Sequence, residues 1–177
     1  MDINNNYKGI VLAGGSGTRL HPLTKVISKQ LLPIYNRPMI FYPLSTLISA
    51  NIKEILIITT PEDNYMFKNL LGDGSQWGVS IDYAIQDKPE GIAQSLIIAE
   101  DWLSGNPLVL ILGDNLFFGP HLAEIIEDSI STNMGSTIFS YQVDEPQRYG
   151  VIDLDNDLNI KAIQEKPENP KSNWIVT

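Results

Sequence analysis

The sequence predicts an α/β protein, a Rossmann-like three-layer sandwich with a mainly parallel sheet and an antiparallel hairpin near the C-terminus. Over the first two-thirds of the chain, short continuous apolar segments alternate with longer segments of helical periodicity. The apolar segments lack polar alternation, which is typical of strands buried on both faces. After STIFSYQV (136–143) the pattern changes to strand-like segments around a polar turn. These observations favour helices on both faces of one sheet.

Four segments are predicted to form the parallel strands. Each is short and rich in Ile, Leu or Val, and each is followed by turn residues or a polar segment. They are KGIVLAGG (8–15), EILIITTP (54–61), IDYAIQ (81–86) and PLVLILGD (107–114).

Four further segments are predicted to be helices. Pro38 stands at the first helical position of one of them. The next predicted helix has acidic residues in its first turn and glycines after its last turn. The four segments are PMIFYPLSTLISA (38–50), EDNYMFKNLLGDG (62–74), GIAQSLIIAEDWLSG (91–105) and HLAEIIEDSI (121–130).

The C-terminal part is predicted to add strands. YGVIDLD (149–155) and NIKAIQEKP (159–167) flank a polar turn, and we expect them to form an antiparallel hairpin added to the sheet. SNWIVT (172–177) is typical of the start of a strand. A length of 177 residues fits one domain, and the sequence shows no linker.

The composition narrows the function classes. A formal net charge of -9 argues against a duplex nucleic acid partner, which would require a broad basic face. The absence of cysteine excludes a disulfide framework, a thiolate metal site and a Cys nucleophile. There is no apolar stretch near the ~20 residues of a membrane span and no signal-peptide core. We therefore expect a soluble cytoplasmic protein without a membrane partner.

One segment near the N-terminus carries no acid. After Asp2 the next carboxylate is Glu54, and half of the twelve Lys and Arg residues lie between Lys8 and Lys53. Inside this segment, AGGSGTRL leaves the first predicted strand, where open α/β sheets bind ligands. Glycine N–H groups there can cradle phosphate oxygens, and Arg19 adds a planar fork of donors.

Two familiar phosphate loops do not fit this segment. A P-loop needs Gly-Lys-Ser/Thr, which is absent, and the third glycine of the dinucleotide fingerprint is missing. The alternative interpretation is a tight glycine turn with a solvated Arg.

Six motifs resemble the sugar-1-phosphate nucleotidylyltransferases, over Tyr7 to Thr177. LLGDGSQWG and PKSNW are similar to the thymidylyl branch of that family, and Arg37 stands where the family usually has Lys. The motifs are LAGGSGTRLHPLT, SKQLLPIYNRPMIFYPLSTL, LLGDGSQWG, LGDN, RYGV and EKPENPKSNW.

This resemblance implies thymidylyl transfer from dTTP to α-D-glucose 1-phosphate, which gives dTDP-glucose and pyrophosphate for deoxysugar (dTDP-rhamnose) and polysaccharide biosynthesis. It also implies Mg²⁺ as cofactor and a homo-oligomer. We expect residues 1–177 to be one nucleotidylyltransferase domain that lacks the family's C-terminal part, including a second metal-binding Asp. The alternatives are a uridylyltransferase of the same family and a nucleotide-binding module without activity. A Rossmann dehydrogenase is a further alternative.

The resemblance also assigns site residues. It implies that Arg19 and Lys29 contact the triphosphate as catalytic cations. Asp114, at the end of an apolar strand, is the predicted catalytic Mg²⁺ ligand. The predicted nucleotide-binding residues are Gly14, Gly15, Ser16, Gly17, Thr18, Arg19, Lys29, Gln30, Gln86 and Gly91. The predicted sugar-phosphate-binding residues are Asn115, Tyr149, Gly150, Glu165, Lys166 and Val176.

Several of these assignments have a plainer alternative. Lys29 can be a surface lysine, Asp114 can cap a turn, and Gln86 can be a surface amide. Glu165 and Lys166 can form an exposed ion pair in a hairpin.

Overall fold

The computed structural model describes residues 6–15, 17–88, 90–155, 157 and 159–176. The chain forms two compact units, of which the first ends at Thr132 and the second begins at Asn133. In the described ranges, no helix combines the length and the apolar character that crossing a bilayer requires. The expectation of one functional domain over residues 1–177 stays a prediction.

The secondary structure follows the predicted alternation. The strands of the first unit are β1 (Lys8–Ala13), β2 (Pro33–Ile34), β3 (Arg37–Pro38), β4 (Glu54–Thr59), β5 (Ser80–Ile85) and β6 (Leu108–Leu112). Its helices are α1 (Phe41–Ser49), α2 (Asn64–Leu71), α3 (Gln94–Leu103) and α4 (Leu122–Thr132). The strands of the second unit are β7 (Ser140–Gln142), β8 (Gly150–Leu154), β9 (Ile160–Glu165) and β10 (Trp174–Val176).

A parallel sheet forms the centre of the first unit, with the strand order β5–β4–β1–β6. On one face of β1, Ile10 and Leu12 belong to an apolar cluster that includes Ala99 of α3. On the other face, Gly9 lies against Leu47 of α1. Because helices cover both faces, the strands are apolar on both sides. The predicted three-layer α/β sandwich is confirmed.

The order of the strands determines where a ligand site can form. The chain runs from β1 to β4 and β5, and then returns to the opposite side of β1 as β6. The connections that follow β1 and β6 therefore diverge. Such a switch point opens a crevice at the carboxyl ends of the strands.

The second unit is a separate antiparallel sheet with the order β7–β10–β8–β9. β8 and β9 form the predicted hairpin, with Gly150 opposite Glu165. The expectation that this hairpin extends the parallel sheet is wrong, because its hydrogen-bonded neighbour is β10. The strand predicted in SNWIVT is confirmed as β10.

Three helix starts differ from the prediction. Pro38 lies in the hairpin β2–β3, opposite Pro33, and α1 begins only at Phe41. The Ile40 N–H donates to the Gln30 carbonyl oxygen at 2.9 Å, and this bond back to the preceding segment replaces a helical turn. α2 begins at Asn64, so the acids before it lie outside its first turn. α3 begins at Gln94 and not at residue 91.

Candidate active site

A cleft of about 250 Å³ opens in the first unit at the carboxyl ends of the parallel strands. It lies where the reversal in strand order places a crevice. A larger pocket of about 320 Å³, bordered by α1 and the segment around the start of α4, contains none of the predicted site residues. The cleft is lined by Leu12, Gly14, Gly15, Gln30, Gln86, Gly91, Ile92, Leu112 and Asp114.

Gly14 directly follows β1 and allows a buried amide to approach the backbone. A Cβ atom at this position would stand 2.7 Å from the Gln86 side-chain oxygen, closer than real Cβ contacts come. Glycine is therefore required if Gln86 is to face the cleft from the end of β5. Gly15 follows and lines the same wall.

The remainder of the glycine loop packs against the lysine segment. Gly17 adopts a left-handed conformation (φ 54°) and precedes a 3-10 turn over Thr18–Leu20. The Thr24 hydroxyl donates to the Gly17 carbonyl oxygen at 2.7 Å. An ideal Cβ at residue 17 would lie 3.3 Å from the Lys29 Cβ, so the turn directly adjoins Lys29. The prediction for Ser16 falls outside the described residues.

Arg19 lies in this turn but does not line the cleft. Its side chain is exposed, and no residue of the described chain forms an ion pair or side-chain hydrogen bond with its guanidinium. Thr18 is likewise exposed beside it. The triphosphate contacts assigned to these two residues stay predictions.

Lys29 and Asp114 form an ion pair at the cleft. The Lys29 ammonium lies 2.6 Å from Asp114 Oδ2, and the two side chains are 26% and 30% exposed. Lys29 begins a 3-10 turn, and Asp114 follows β6 by two residues. The fold thus brings together a cation and an anion that are 85 positions apart in the sequence.

The donor set at Asp114 fits a magnesium ion that is shared with a substrate. In the described residues, no group of three or more His, Cys, Asp or Glu side chains could hold a metal alone. Mg²⁺ is commonly held by one or two carboxylates while substrate phosphates and waters complete its octahedron. A single accessible carboxylate at the cleft satisfies that pattern.

Two buried amides line the cleft. Gln30 is 4% exposed, and its side-chain oxygen accepts a hydrogen bond from the Ser28 hydroxyl at 2.8 Å. Gln86 is 3% exposed and donates from Nε2 to the Gly91 carbonyl oxygen at 3.3 Å. Because both are buried and hydrogen-bonded, the interpretation of Gln86 as a surface amide is wrong.

The predicted sugar-phosphate residues of the second unit cluster at one place. A Cβ on Gly150 would lie 3.5 Å from Glu165 Oε2 and 4.0 Å from the Val176 Cβ. The Lys166 N–H donates to the Tyr149 carbonyl oxygen at 2.9 Å. Glu165 and Lys166 also form an exposed ion pair at 2.9 Å, so the plainer interpretation of that pair is compatible with the structure.

Asn115 is the predicted sugar-phosphate residue that lies in the first unit. Its N–H donates to the Leu112 carbonyl oxygen at 3.1 Å, in the turn that also positions Asp114. The ligand roles assigned to this residue and to the five in the second unit stay predictions.

Four residues at or beside the cleft were not predicted. Leu12, Leu112 and Ile92 line it with apolar surface. Gln94 accepts a 2.6 Å hydrogen bond from Gln86 Nε2. Strand-end leucines in a parallel sheet are a usable signal for apolar lining, whereas an isolated Gln in a helical pattern carries none.

The sequence profile that is described as nucleotidyl transferase matches residues 8–177, nearly the whole chain. The chain belongs to the nucleotidyl transferase family. Two proteins named glucose-1-phosphate thymidylyltransferase illustrate the similarity. One from Neisseria meningitidis serogroup A is 51% identical over 170 residues, and one from Xanthomonas campestris pv. campestris is 52% identical over 170 residues.

Solved nucleotidyl transferase structures share the fold. A Bacillus anthracis protein described as a glucose-1-phosphate thymidylyltransferase, solved in complex with sucrose, has a TM-score of 0.90 at 42% identity. It matches 97% of this chain and 69% of its own. A UDP-glucose pyrophosphorylase complexed with UDP-glucose has a TM-score of 0.79 at 26% identity, over 96% and 73% of the two chains.

The sequence matches cover nearly all of this chain but only part of each relative. The Neisseria match covers 96% of this chain and 59% of the relative, and the Xanthomonas match covers 96% and 58%. The chain thus spans somewhat more than half the length of these curated relatives.

Proposed function

We propose that the chain is the nucleotide- and sugar-phosphate-binding part of a glucose-1-phosphate thymidylyltransferase. In this reaction a phosphate oxygen of α-D-glucose 1-phosphate attacks the α-phosphorus of dTTP. The bond from that phosphorus to the pyrophosphate oxygen breaks, and dTDP-glucose and pyrophosphate are released. The names of relatives at about half identity support this activity.

One observation carries the proposal: a single cleft combines a glycine backbone, a charged pair and buried amides. Gly14 and Gly15 line one wall, and Gln86 supplies a hydrogen-bonding group. The Lys29–Asp114 pair adds a cation and an anion at the same place. A nucleoside triphosphate needs a donor-rich site for its phosphates and a polar edge for its base, and the cleft offers both.

Lys29 is the proposed catalytic cation. Negative charge grows on the leaving pyrophosphate as the phosphorus–oxygen bond breaks, and a positioned ammonium stabilises it. Arg19, which is exposed beside the glycine turn, is proposed to bind the β- and γ-phosphates through its planar fork of donors. No covalent enzyme intermediate is involved, so positioning and charge neutralisation supply the catalysis.

Asp114 is the proposed protein ligand of Mg²⁺. When bound, the ion neutralises phosphate charge and helps to orient the α-phosphate. The chain's own contribution is to hold this carboxylate at the end of β6, where Lys29 balances its charge in the free protein. Glu165 of the second unit is proposed to accept hydrogen bonds from sugar hydroxyls, and Asn115 of the first unit keeps its separate assignment as a sugar-phosphate residue.

A uridylyltransferase is the second candidate, because the chain also shares its fold with a UDP-glucose pyrophosphorylase at 26% identity. Thymine differs from uracil by one methyl group, which a pocket distinguishes by only about 1–3 kcal/mol. The cytoplasmic location and the homo-oligomer stay predictions.

Pyrophosphate release tests the proposal. The 177-residue chain and a form extended to the length of the relatives are each titrated with dTTP or UTP to measure binding. Both forms are then assayed for pyrophosphate release with glucose 1-phosphate, Mg²⁺ and the same nucleotide. We expect dTTP binding by both forms and pyrophosphate release by the extended one. Turnover of UTP that exceeds turnover of dTTP would favour the second candidate, and failure of both forms to bind either nucleotide would refute the assignment.

A further inference from the structure

A chain of directed hydrogen bonds starts at an exposed carboxylate and ends at the cleft. Gln94 Nε2 donates to Glu90 Oε2 at 2.9 Å. Gln86 Nε2 in turn donates to Gln94 Oε1 at 2.6 Å. The Glu90 N–H also donates to Gln94 Oε1, at 3.3 Å. These bonds link the side chains of Glu90, Gln94 and Gln86 in one row, which we call the amide relay.

The chemistry of the first member fixes the direction of the whole relay. An ionised carboxylate only accepts hydrogen bonds, so Glu90 must face the NH₂ group of Gln94. The side-chain oxygen of Gln94 then faces Gln86, so Gln86 must donate to it from its own NH₂ group. The Gly91 carbonyl oxygen takes the second proton of that group, at 3.3 Å.

The oxygen of Gln86 is therefore the atom left for a ligand. Both amide protons of Gln86 are already donated, and within the described residues no donor reaches its oxygen. This oxygen lies 2.7 Å from the position of an ideal Cβ on Gly14, at the cleft wall. The buried amide thus offers the cleft an acceptor and no donor.

We propose that Gln94 and Glu90 are positioning residues that set base selectivity by locking the Gln86 amide with its oxygen toward the cleft. The inference deepens the proposed function and rests on it. Thymine and uracil carry an imide N–H, which donates to such an oxygen. Cytosine has a lone pair at the same ring position and meets the oxygen with repulsion. The relay therefore selects imide bases and does not separate thymine from uracil.

Two variants at position 94 separate polarity from packing. Q94K places an ammonium, which has only donors, between Glu90 and Gln86, so the Gln86 NH₂ group loses its acceptor there. The double variant E90Q/Q94E exchanges the two side chains. A carboxylate at position 94 still accepts from Gln86, and an amide at position 90 can donate to it, so the direction of the relay is kept.

The experiment is calorimetric titration of the 177-residue chain with the Mg²⁺ complexes of dTTP, UTP and dCTP. We expect the parent to prefer dTTP and UTP to dCTP. A buried polar group left without its partner costs about ten- to a hundredfold in affinity. Q94K should therefore lower the dTTP-to-dCTP affinity ratio by about tenfold or more, with dTTP and UTP weakened together, while E90Q/Q94E keeps the ratio within about threefold.

Melting temperatures, measured in parallel, ensure that each titration uses folded protein. An unchanged ratio in Q94K, or a loss in E90Q/Q94E as large as in Q94K, would overturn the inference while dTTP binding by the parent leaves the proposed function standing. A parent that binds none of the three triphosphates would overturn both.

Discussion

At the scale of single residues, the exposed cations of the basic segment explain why an acidic chain keeps it. Lys29 is the cation of that segment with a carboxylate partner at the cleft. Arg19, Lys25 and Arg37 have no ion pair within the described chain and are exposed. Their positive charge is therefore available to an incoming polyphosphate, which a protein with a net charge of -9 would otherwise repel.

Replacement of Lys29 by Met tests its role in triphosphate binding. The variant removes the ammonium and keeps most of the apolar stem, so we expect dTTP affinity to fall by about ten- to a hundredfold, the range for a charged hydrogen-bond partner. The matched control is Lys25→Met, which removes an exposed lysine that has no partner in the described chain. Calorimetric titration with dTTP measures both, and equal affinities for the two variants would contradict the assignment.

At this scale the sequence indicated which residues lie at the ligand edge better than it indicated how their side chains are oriented. Gly14 and Asp114 were predicted at the ligand edge because they follow apolar strands, and Gln86 was assigned through the family resemblance. All three line the cleft. Gln94 was missed, since the direction of a hydrogen bond depends on neighbours that only the fold brings together. Arg19 was predicted from its loop, yet its side chain is exposed and outside the cleft lining.

At the scale of elements, the motif LLGDGSQWG forms the turn between α2 and β5. The Tyr83 hydroxyl donates to the Gly72 carbonyl oxygen at 2.6 Å, and Gln76 Nε2 donates to the Leu71 carbonyl oxygen at 2.8 Å. Trp77 packs edge-on against Phe41 of α1, with ring centres 5.7 Å apart. The turn precedes β5 and so lies at the amino edge of the parallel sheet, opposite the cleft.

Tyr83 gives this turn a measurable alkaline response. Partial burial, with a smaller contribution from the Asp73 carboxylate, raises the pKa of Tyr83 from 10.0 to about 12. A raised pKa means that the stabilisation is complete below pH 10 and is lost as the pH rises toward 12, where the unfolded chain ionises first. We expect the free energy of unfolding to fall over that window, and to fall less steeply in Tyr83→Phe.

Urea unfolding at pH 9, 10, 11 and 12 measures the difference between the two proteins, so that the other titrating groups cancel. Tyr141→Phe is the control, because Tyr141 is exposed in the second unit. Parallel curves for the parent and Tyr83→Phe across the whole window would contradict the assignment.

The sequence predicted the long elements and missed the short ones. β1 and β4 were predictable because an uninterrupted apolar segment of six residues fits a strand covered on both sides. The hairpin β2–β3 was not, since PMIFYPLSTLISA has helical spacing from its first residue. Two backbone hydrogen bonds, from Met39 to Leu32 and from Ile40 to Gln30, hold its start out of the helix.

At the scale of the whole molecule, the chain has two compact units whose boundary follows Thr132. Every residue that lines the nucleotide cleft lies before that boundary, and the clustered sugar-phosphate candidates lie after it. Composition alone favoured one domain, because neither a linker nor a shift in composition marks the boundary in the sequence. The prediction of one shared function for both units stays compatible with the family match over residues 8–177.

Limited proteolysis tests this division. Met134 is fully exposed and stands between Asn133 and Gly135 in a short turn at the boundary, the kind of site where nicking concentrates. We expect thermolysin to cut there first, and the nicked protein to bind dTTP within about threefold of the uncut chain, because the cleft keeps its lining intact. Intact-mass analysis locates the cut, and calorimetric titration measures dTTP binding. A first cut within one of the helices α1, α2, α3 or α4, or loss of dTTP binding on nicking, would contradict the division.

The position of LLGDGSQWG across the sheet from the cleft has a practical consequence for anyone who classifies or engineers such proteins. A signature held in place by scaffold contacts marks descent, and it would persist unchanged in a chain redesigned to accept another nucleobase. A survey that reads the accepted base from this signature would then mislabel a chain redesigned for cytosine, whereas the proposed relay predicts that such a change appears at positions 86, 90 and 94.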